Sequence, residues 1–278
     1  MKQTSNLPTP RNEAVRDYLP GSAERARLKA AIAQVQGDVA EIPALIGGRE
    51  VASGRTVDVT APHRHSHVLA HLHQCDDAQV RQAIDAALAA QPEWSAMSFE
   101  HRAGVFLKAA DLIAGPWRDR LNASTMLGQS KTVYQAEIDV ACELADFLRF
   151  NVHFAERLYA EQPESSPGTW NRVDYRPLEG FVYAISPFNF TAIGGNLCTA
   201  PAMLGNVVLW KPATTASLAC WRVMQVLQEA GLPPGVINFV SGDSSMVTRT
   251  VLADERLAGI HFTGSTAVFQ SLWRDVAQ

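Results

Sequence analysis

From residue 181 onward the chain alternates short apolar runs with amphipathic stretches. Phe181–Ile185 predicts a strand, Gly195–Leu204 a helix and Val207–Trp210 a second strand. Thr215–Ala230 predicts a helix closed by Gly231 and Pro233, and Val236–Val240 a third strand. A short helix over Ser245–Leu252, a strand over Gly259–Phe262 and a helix beginning near Thr266 complete the series. Four strands alternating with helices imply parallel βαβ units and an open α/β sheet that holds ligands at the C-terminal ends of its strands.

The first 165 residues carry helical spacing with one small β region. Ser22 caps an expected helix over 23–36, after the stop at Pro20-Gly21. Between Ile42 and Leu72, Gly47-Gly48, Ser53-Gly54 and the alternation Thr56-Val57-Asp58-Val59-Thr60 predict hairpins. Helices are expected over Asp77–Ala90, Phe99–Ala114 and Trp117–Leu127. A longer one over Lys131–Leu158 sets Ala141, Leu144, Ala145 and Leu148 on one stripe. The patch Gln162-Pro-Glu-Ser-Ser-Pro-Gly168 breaks the pattern, and Thr169–Leu178 alternates as a polar strand or arm. The expected division is therefore an N-terminal helical extension over 1–40, a helical and hairpin part over 41–164, an oligomerisation arm over 165–178 and a Rossmann-like core over 179–278.

No residue between Glu179 and Lys211 is charged, which invites a membrane reading. Pro187, Gly194, Gly195, Pro201 and Gly205 interrupt the stretch, and buried strands between turns account for it better. With 24 Lys and Arg against 28 Asp and Glu, the net charge of -4 offers no footprint for nucleic acid or an anionic membrane surface. At 47% hydrophobic and 19% charged residues, the composition excludes a disordered chain. The N-terminal residues lack an apolar run and include Glu13 and Asp17, which argues against a signal or transit peptide. Four cysteines without a C-x-x-C point to a reducing compartment, with the cytoplasm expected, or the mitochondrial matrix in a eukaryote.

Neither G-x-G-x-x-G nor a P-loop is present. The strand ends instead carry Ser186-Pro187-Phe188-Asn189-Phe190, Lys211-Pro212-Ala213-Thr214, Ser241-Gly242-Asp243 and Thr263-Gly264-Ser265. These are the materials of a nucleotide crevice, or of ordinary turns.

SPFNF, LWKPAT, AGLPPGVINFVSGD and IHFTGS, in this order, resemble the aldehyde dehydrogenase superfamily. ISPFNFTAIGGNL, AEIDVACELADFLRFN and the closing LWRDVAQ narrow the likeness to its pyrroline-5-carboxylate (glutamate-γ-semialdehyde) dehydrogenases. The resemblance implies an NAD cofactor, a small-molecule aldehyde as substrate, and a homo-oligomer at full length. It makes Asn189 the side-chain amide that stabilises the oxyanion formed when a Cys thiolate attacks the aldehyde; on the residues alone, Asn189 equally suits a turn. Phe190 would line the aldehyde pocket, and Glu137 would be an acidic residue near it. Lys211 would hold the adenosine ribose. Ser186, Pro187, Phe188, Thr214 and Gly242, with Gly264, Ser265, Thr266, Ala267 and Val268 at a helix start suited to pyrophosphate, would complete the cofactor contacts. Thr214 stands where many relatives carry an acidic residue that selects NAD over NADP, and Phe269 where many carry glycine.

The superfamily places its nucleophilic Cys and general-base Glu beyond FTGS, in a catalytic domain. The bare apolar face of the last helix (Val268, Phe269, Leu272, Trp273, Val276) suggests a truncated polypeptide, inactive alone. The alternative from another class is a non-catalytic NAD-binding or assembly fragment. Cys198 reads as buried filler rather than a substitute nucleophile. His63, His65, His67, His71 and His73 alternate without the further ligands a zinc site needs and read as surface residues.

Overall fold

A computed structural model describes residues 7–278. The elements run α1 (Ala23–Gly37), β1 (Ala40–Ile42), β2 (Ala44–Ile46), β3 (Arg49–Val51), β4 (Thr56–Ala61), β5 (Arg64–His73), α2 (Asp77–Ala96), α3 (Phe99–Ala114) and α4 (Arg118–Gln129). Next come α5 (Val133–Ala136), a π-helical segment (Glu137–Glu143), α6 (Leu144–Ala160), β6 (Phe181–Ile185), α7 (Thr191–Met203) and β7 (Val207–Lys211). The chain closes with a 3-10 turn (Thr214–Ala216), α8 (Ser217–Ala230), β8 (Ile237–Phe239), α9 (Ser244–Leu252), β9 (Leu257–Phe262) and α10 (Thr266–Ala277).

The main sheet has the order β3-β2-β8-β7-β6-β9. Its four C-terminal strands are parallel, as their alternation with helices predicts, and β6, β7 and β8 are buried throughout except half-buried Ile185. The hairpin β2–β3 adds antiparallel to β8 through Leu45 and Phe239. Sequence reading found the hairpin but not its attachment, because pairing between distant segments leaves no local signal. This attachment also makes 41–164 and 179–278 share one sheet and one core. A second sheet, β1-β5-β4, holds the other hairpin.

Helices cover the sheet. Asp76 caps α2 in a reciprocal capping box with Gln79, and the helix runs through Pro92 to Ala96, beyond the expected end. Trp94 on its last turn is buried, and its indole N–H donates to the Ala202 carbonyl at 2.8 Å. The expected single helix over 131–158 is divided by the π-helical segment, in which Glu137 and Asp139 are both buried. The stretch 165–178 has no regular secondary structure and is exposed almost throughout, including Trp170 at 78%. The expected polar strand over 169–178 therefore does not form. On α10 only Leu272 of the five apolar residues is buried. Among the described residues no helix is long and apolar enough to cross a membrane.

Candidate active site and cofactor crevice

The strand order puts the switch point between β6 and β9: β6 leads to β7 on one side, while β9, last in sequence, pairs on the other. Register brings the strand ends level, with Ile185 opposite both Lys211 and Phe262. Ser186 N–H donates to the Lys211 carbonyl at 3.2 Å, and Thr263 N–H to the Ile185 carbonyl at 3.3 Å. Residues far apart in sequence thereby meet at one edge, where open α/β sheets bind their ligands.

Ser186 is buried below this edge. The Trp210 indole N–H donates to its hydroxyl at 2.6 Å, and the hydroxyl donates to the Gly194 carbonyl at 3.4 Å. Pro187 is buried beside it, while Phe188 and Phe190 are exposed. Asn189 is exposed, and its side-chain amide makes no hydrogen bond with another described residue. Asn189 lies in the bend before α7, but among the described residues no side-chain hydrogen bond ties its amide to the local backbone.

Lys211 is 5% exposed, and its ammonium donates to Ser244 Oγ at 3.0 Å. Burial lowers its pKa, with the Asp243 charge opposing. An ammonium has three donors, so this one has capacity for hydroxyl acceptors at the strand edge. Thr214 is half-buried at the start of the 3-10 turn.

Helix starts along this edge differ in how they are closed. Asp243 caps α9, its carboxylate accepting from Met246 N–H at 2.8 Å. Asp139 closes α7. The start of α10 has the Ser265 hydroxyl alone, accepting from Val268 N–H at 3.3 Å, with Gly264, Ser265, Thr266, Ala267 and Val268 all exposed. Gly242, by contrast, is buried, and a side chain there would meet the Cys75 carbonyl at 3.0 Å and Val247 at 3.1 Å. The backbone there is packed too closely for any side chain.

Glu137 is a correction. The expected pocket carboxylate is fully buried and turned toward the N-terminal segment. Its oxygens accept from the Tyr18 hydroxyl at 2.7 Å, Arg16 N–H at 2.8 Å and Asn122 Nδ2 at 2.8 Å, and from the Arg118 guanidinium. Burial pushes its pKa up, but Arg118, Tyr18, the Arg16 N–H and Asn122 outweigh this and hold the carboxyl below its ordinary range. The carboxylate beside the Asn189 turn belongs to Asp139, two residues on, which sequence reading missed. The signal lay in the spacing: residues two apart on a helix face different ways, so AEID offers two carboxylates to two different neighbours.

All four cysteines are free and buried. Burial, foremost among the causes, raises the thiol pKa at each of Cys75, Cys142, Cys198 and Cys220, to about 11 at Cys142 and about 12 at Cys220. Burial therefore disfavours the thiolate form at all four. Of the histidines, His71 contacts Asp58 at 2.9 Å, His73 contacts Glu41 at 3.4 Å and His63 contacts Ser130 at 2.8 Å. Among the described residues no cluster of three or more His, Cys, Asp or Glu is arranged to hold a metal.

Residues 49–278 match the aldehyde dehydrogenase family. The chain belongs to that family. Among similar proteins of the aldehyde dehydrogenase family, the mitochondrial delta-1-pyrroline-5-carboxylate dehydrogenase of Mus musculus is 51% identical over 277 residues, covering 100% of this chain and 49% of the relative. That of Agaricus bisporus is 49% identical over 276 residues, covering 99% of this chain and 50% of the relative. The crystal structure of the Mycobacterium tuberculosis delta-pyrroline-5-carboxylate dehydrogenase bound with NAD superposes with a TM-score of 0.97 at 55% identity, covering 100% of this chain and 52% of the other. The chain thus spans about half the length of the curated relatives it matches.

Proposed function

We propose that this chain is the cofactor-binding and oxyanion-stabilising part of an enzyme that oxidises L-glutamate γ-semialdehyde to L-glutamate with NAD, a step of proline breakdown. The observation that carries this reading is the exposed Asn189 amide, unbonded among the described residues, at the level edge formed by Ser186, Lys211 and Thr263. The names of its relatives, at about half identity over the whole chain, supply the substrate.

NAD fits the residues present. Lys211 has donors left for the adenosine ribose hydroxyls, and the exposed start of α10 offers free N–H groups to the pyrophosphate. Buried Ser186 and Pro187 form the floor, Phe188 stands exposed beside it, and Thr214 occupies the rim where a ribose 2′-group would approach. When bound, NAD supplies a hydride acceptor. Asn189 donates to the oxygen of the aldehyde as it gains charge under nucleophilic attack, a role worth about 3–4 kcal/mol of barrier in comparable sites. Phe190 covers the aldehyde chain with an apolar wall.

Each of the four cysteines is buried with its thiol pKa raised, which suits packing residues better than a nucleophile. The chain alone therefore binds cofactor without turning over aldehyde. Its exposed arm at 165–178, with Trp170, Tyr175 and Leu178 open to solvent, is the surface through which copies assemble. A reducing compartment, cytoplasm or mitochondrial matrix, suits four free cysteines.

The test is NADH production from glutamate semialdehyde by two polypeptides: this chain, and the chain continued to its relatives' length. Activity in the second and none in the first supports the reading. Turnover by the first, or none by the second, overturns it. A non-catalytic binding or assembly fragment remains the second reading, favoured by the buried thiols, and silence of both polypeptides together with NAD binding would establish it.

A further inference from the structure

We infer that Asp139 and Lys131 are positioning residues that fix the Asn189–Phe190 turn for oxyanion stabilisation. The inference rests on the role proposed above for Asn189.

Asn189 and Phe190 precede the first residue of α7, Thr191. Phe190 has no capping side chain to offer, so the first N–H groups of α7 need acceptors from elsewhere. Asp139 supplies them. Its Oδ2 accepts from Thr191 N–H at 3.0 Å and its Oδ1 from Ala192 N–H at 2.9 Å, both within the interior. A single carboxylate from the π-helical segment thus does across space what a capping residue does locally.

Lys131 completes the clamp. Its ammonium donates to Asp139 Oδ2 at 2.6 Å, and it lies 4.2 Å from the centre of the Phe190 ring. One cation therefore ties the ring on one side of the turn to the carboxylate that holds the other. From α4, Gln129 Nε2 donates to Thr191 Oγ1 at 2.7 Å, and the Thr125 and Thr191 hydroxyls are 3.0 Å apart. Among the described residues the Asn189 side chain has no hydrogen-bond partner, so its placement comes through this backbone.

The π-helical geometry has a purpose in this account. It buries both carboxylates of AEID, with Glu137 serving Arg118 and the N-terminal segment and Asp139 serving α7. Misplacing a reacting group by about 1 Å costs on the order of 100-fold in rate, so an anchor remote from substrate bears directly on turnover.

The experiment combines two measurements on Asp139→Asn, Lys131→Met and Lys131→Arg. In the 278-residue chain, amide NMR and hydrogen exchange follow Thr191, Ala192 and the Asn189 side chain. In the polypeptide continued to its relatives' length, kcat and KM are measured separately. We expect Asp139→Asn to move the Thr191 and Ala192 amide signals upfield and to quicken their exchange. Its kcat should fall about 10- to 100-fold, with KM for NAD within about twofold of the parent. Lys131→Met should lower kcat less, with Lys131→Arg restoring it. Unmoved amide signals, an undiminished kcat, or Lys131→Arg failing to exceed Lys131→Met would overturn the inference. Should Asp139→Asn fail to fold, the Lys131 pair decides. If the continued parent oxidises no aldehyde, the proposed function has failed, and the amide signals alone decide whether the clamp exists.

Discussion

Arg118 and Glu137 form an ion pair whose side chains are 1% and 0% exposed. The pair joins α4 to the π-helical segment and extends to the N-terminal segment. Arg118 also donates to Glu13 Oε1 at 2.7 Å and to the Ala14 carbonyl at 2.7 Å. Removing one partner strands the other charge in the interior. Arg118→Met should therefore cost about 3–5 kcal/mol of stability by denaturant unfolding. Glu137→Gln in the same background should recover part of that loss. A single-variant cost below 1 kcal/mol, on the order of an exposed pair, would contradict the account.

The same pair predicts an acid dependence. Glu137 is held below its ordinary value of 4.5, so over the interval just below that value the unfolded carboxyl binds a proton and the folded one does not. Its stabilisation is complete above 4.5 and is lost as pH falls through the lowered folded value. Stability should thus drop with falling pH below about 4.5, and Glu137→Gln should flatten this slope while lowering stability at neutral pH. Equal slopes for the two proteins in urea titrations across this range would refute the assignment.

Asn189 predicts the opposite pattern from Arg118. It is exposed and its side chain is unbonded among the described residues, so Asn189→Ala should change stability by less than about 0.5 kcal/mol. In a polypeptide continued to the relatives' length it should lower kcat by about 10²–10³. Thermal melts and steady-state kinetics on one preparation check both halves of the claim.

In the proposed site, Thr214 lies where a ribose 2′-group would approach. A carboxylate at this rim would accept from a ribose hydroxyl and repel a 2′-phosphate. Thr214→Glu should therefore weaken NADP binding more than NAD binding, by about tenfold or more. Paired titrations with the two dinucleotides measure the ratio.

Local pattern announced much of this architecture. Strand β6 runs over the predicted Phe181–Ile185, and helix α3 over the predicted Phe99–Ala114. Apolar period and capping residues decide such elements within a few residues of chain. What the pattern could not announce depends on distant partners. The attachment of β2 to β8 is one case, and the free state of the Asn189 amide is another. Glu137 shows the limit most clearly. The motif AEID was rightly singled out, but only packing shows that Glu137 faces Arg118 while Asp139 faces α7.

The central claim is that the level strand edge of this chain is a dinucleotide site, and calorimetric titration of NAD into the purified protein tests it most directly. We predict saturable one-to-one binding, weakened about tenfold or more by Lys211→Met, a substitution that should leave the fold intact because it replaces a buried ammonium with an apolar chain of similar length. A folded parent that binds no NAD, or binds it equally well after Lys211→Met, would contradict the claim.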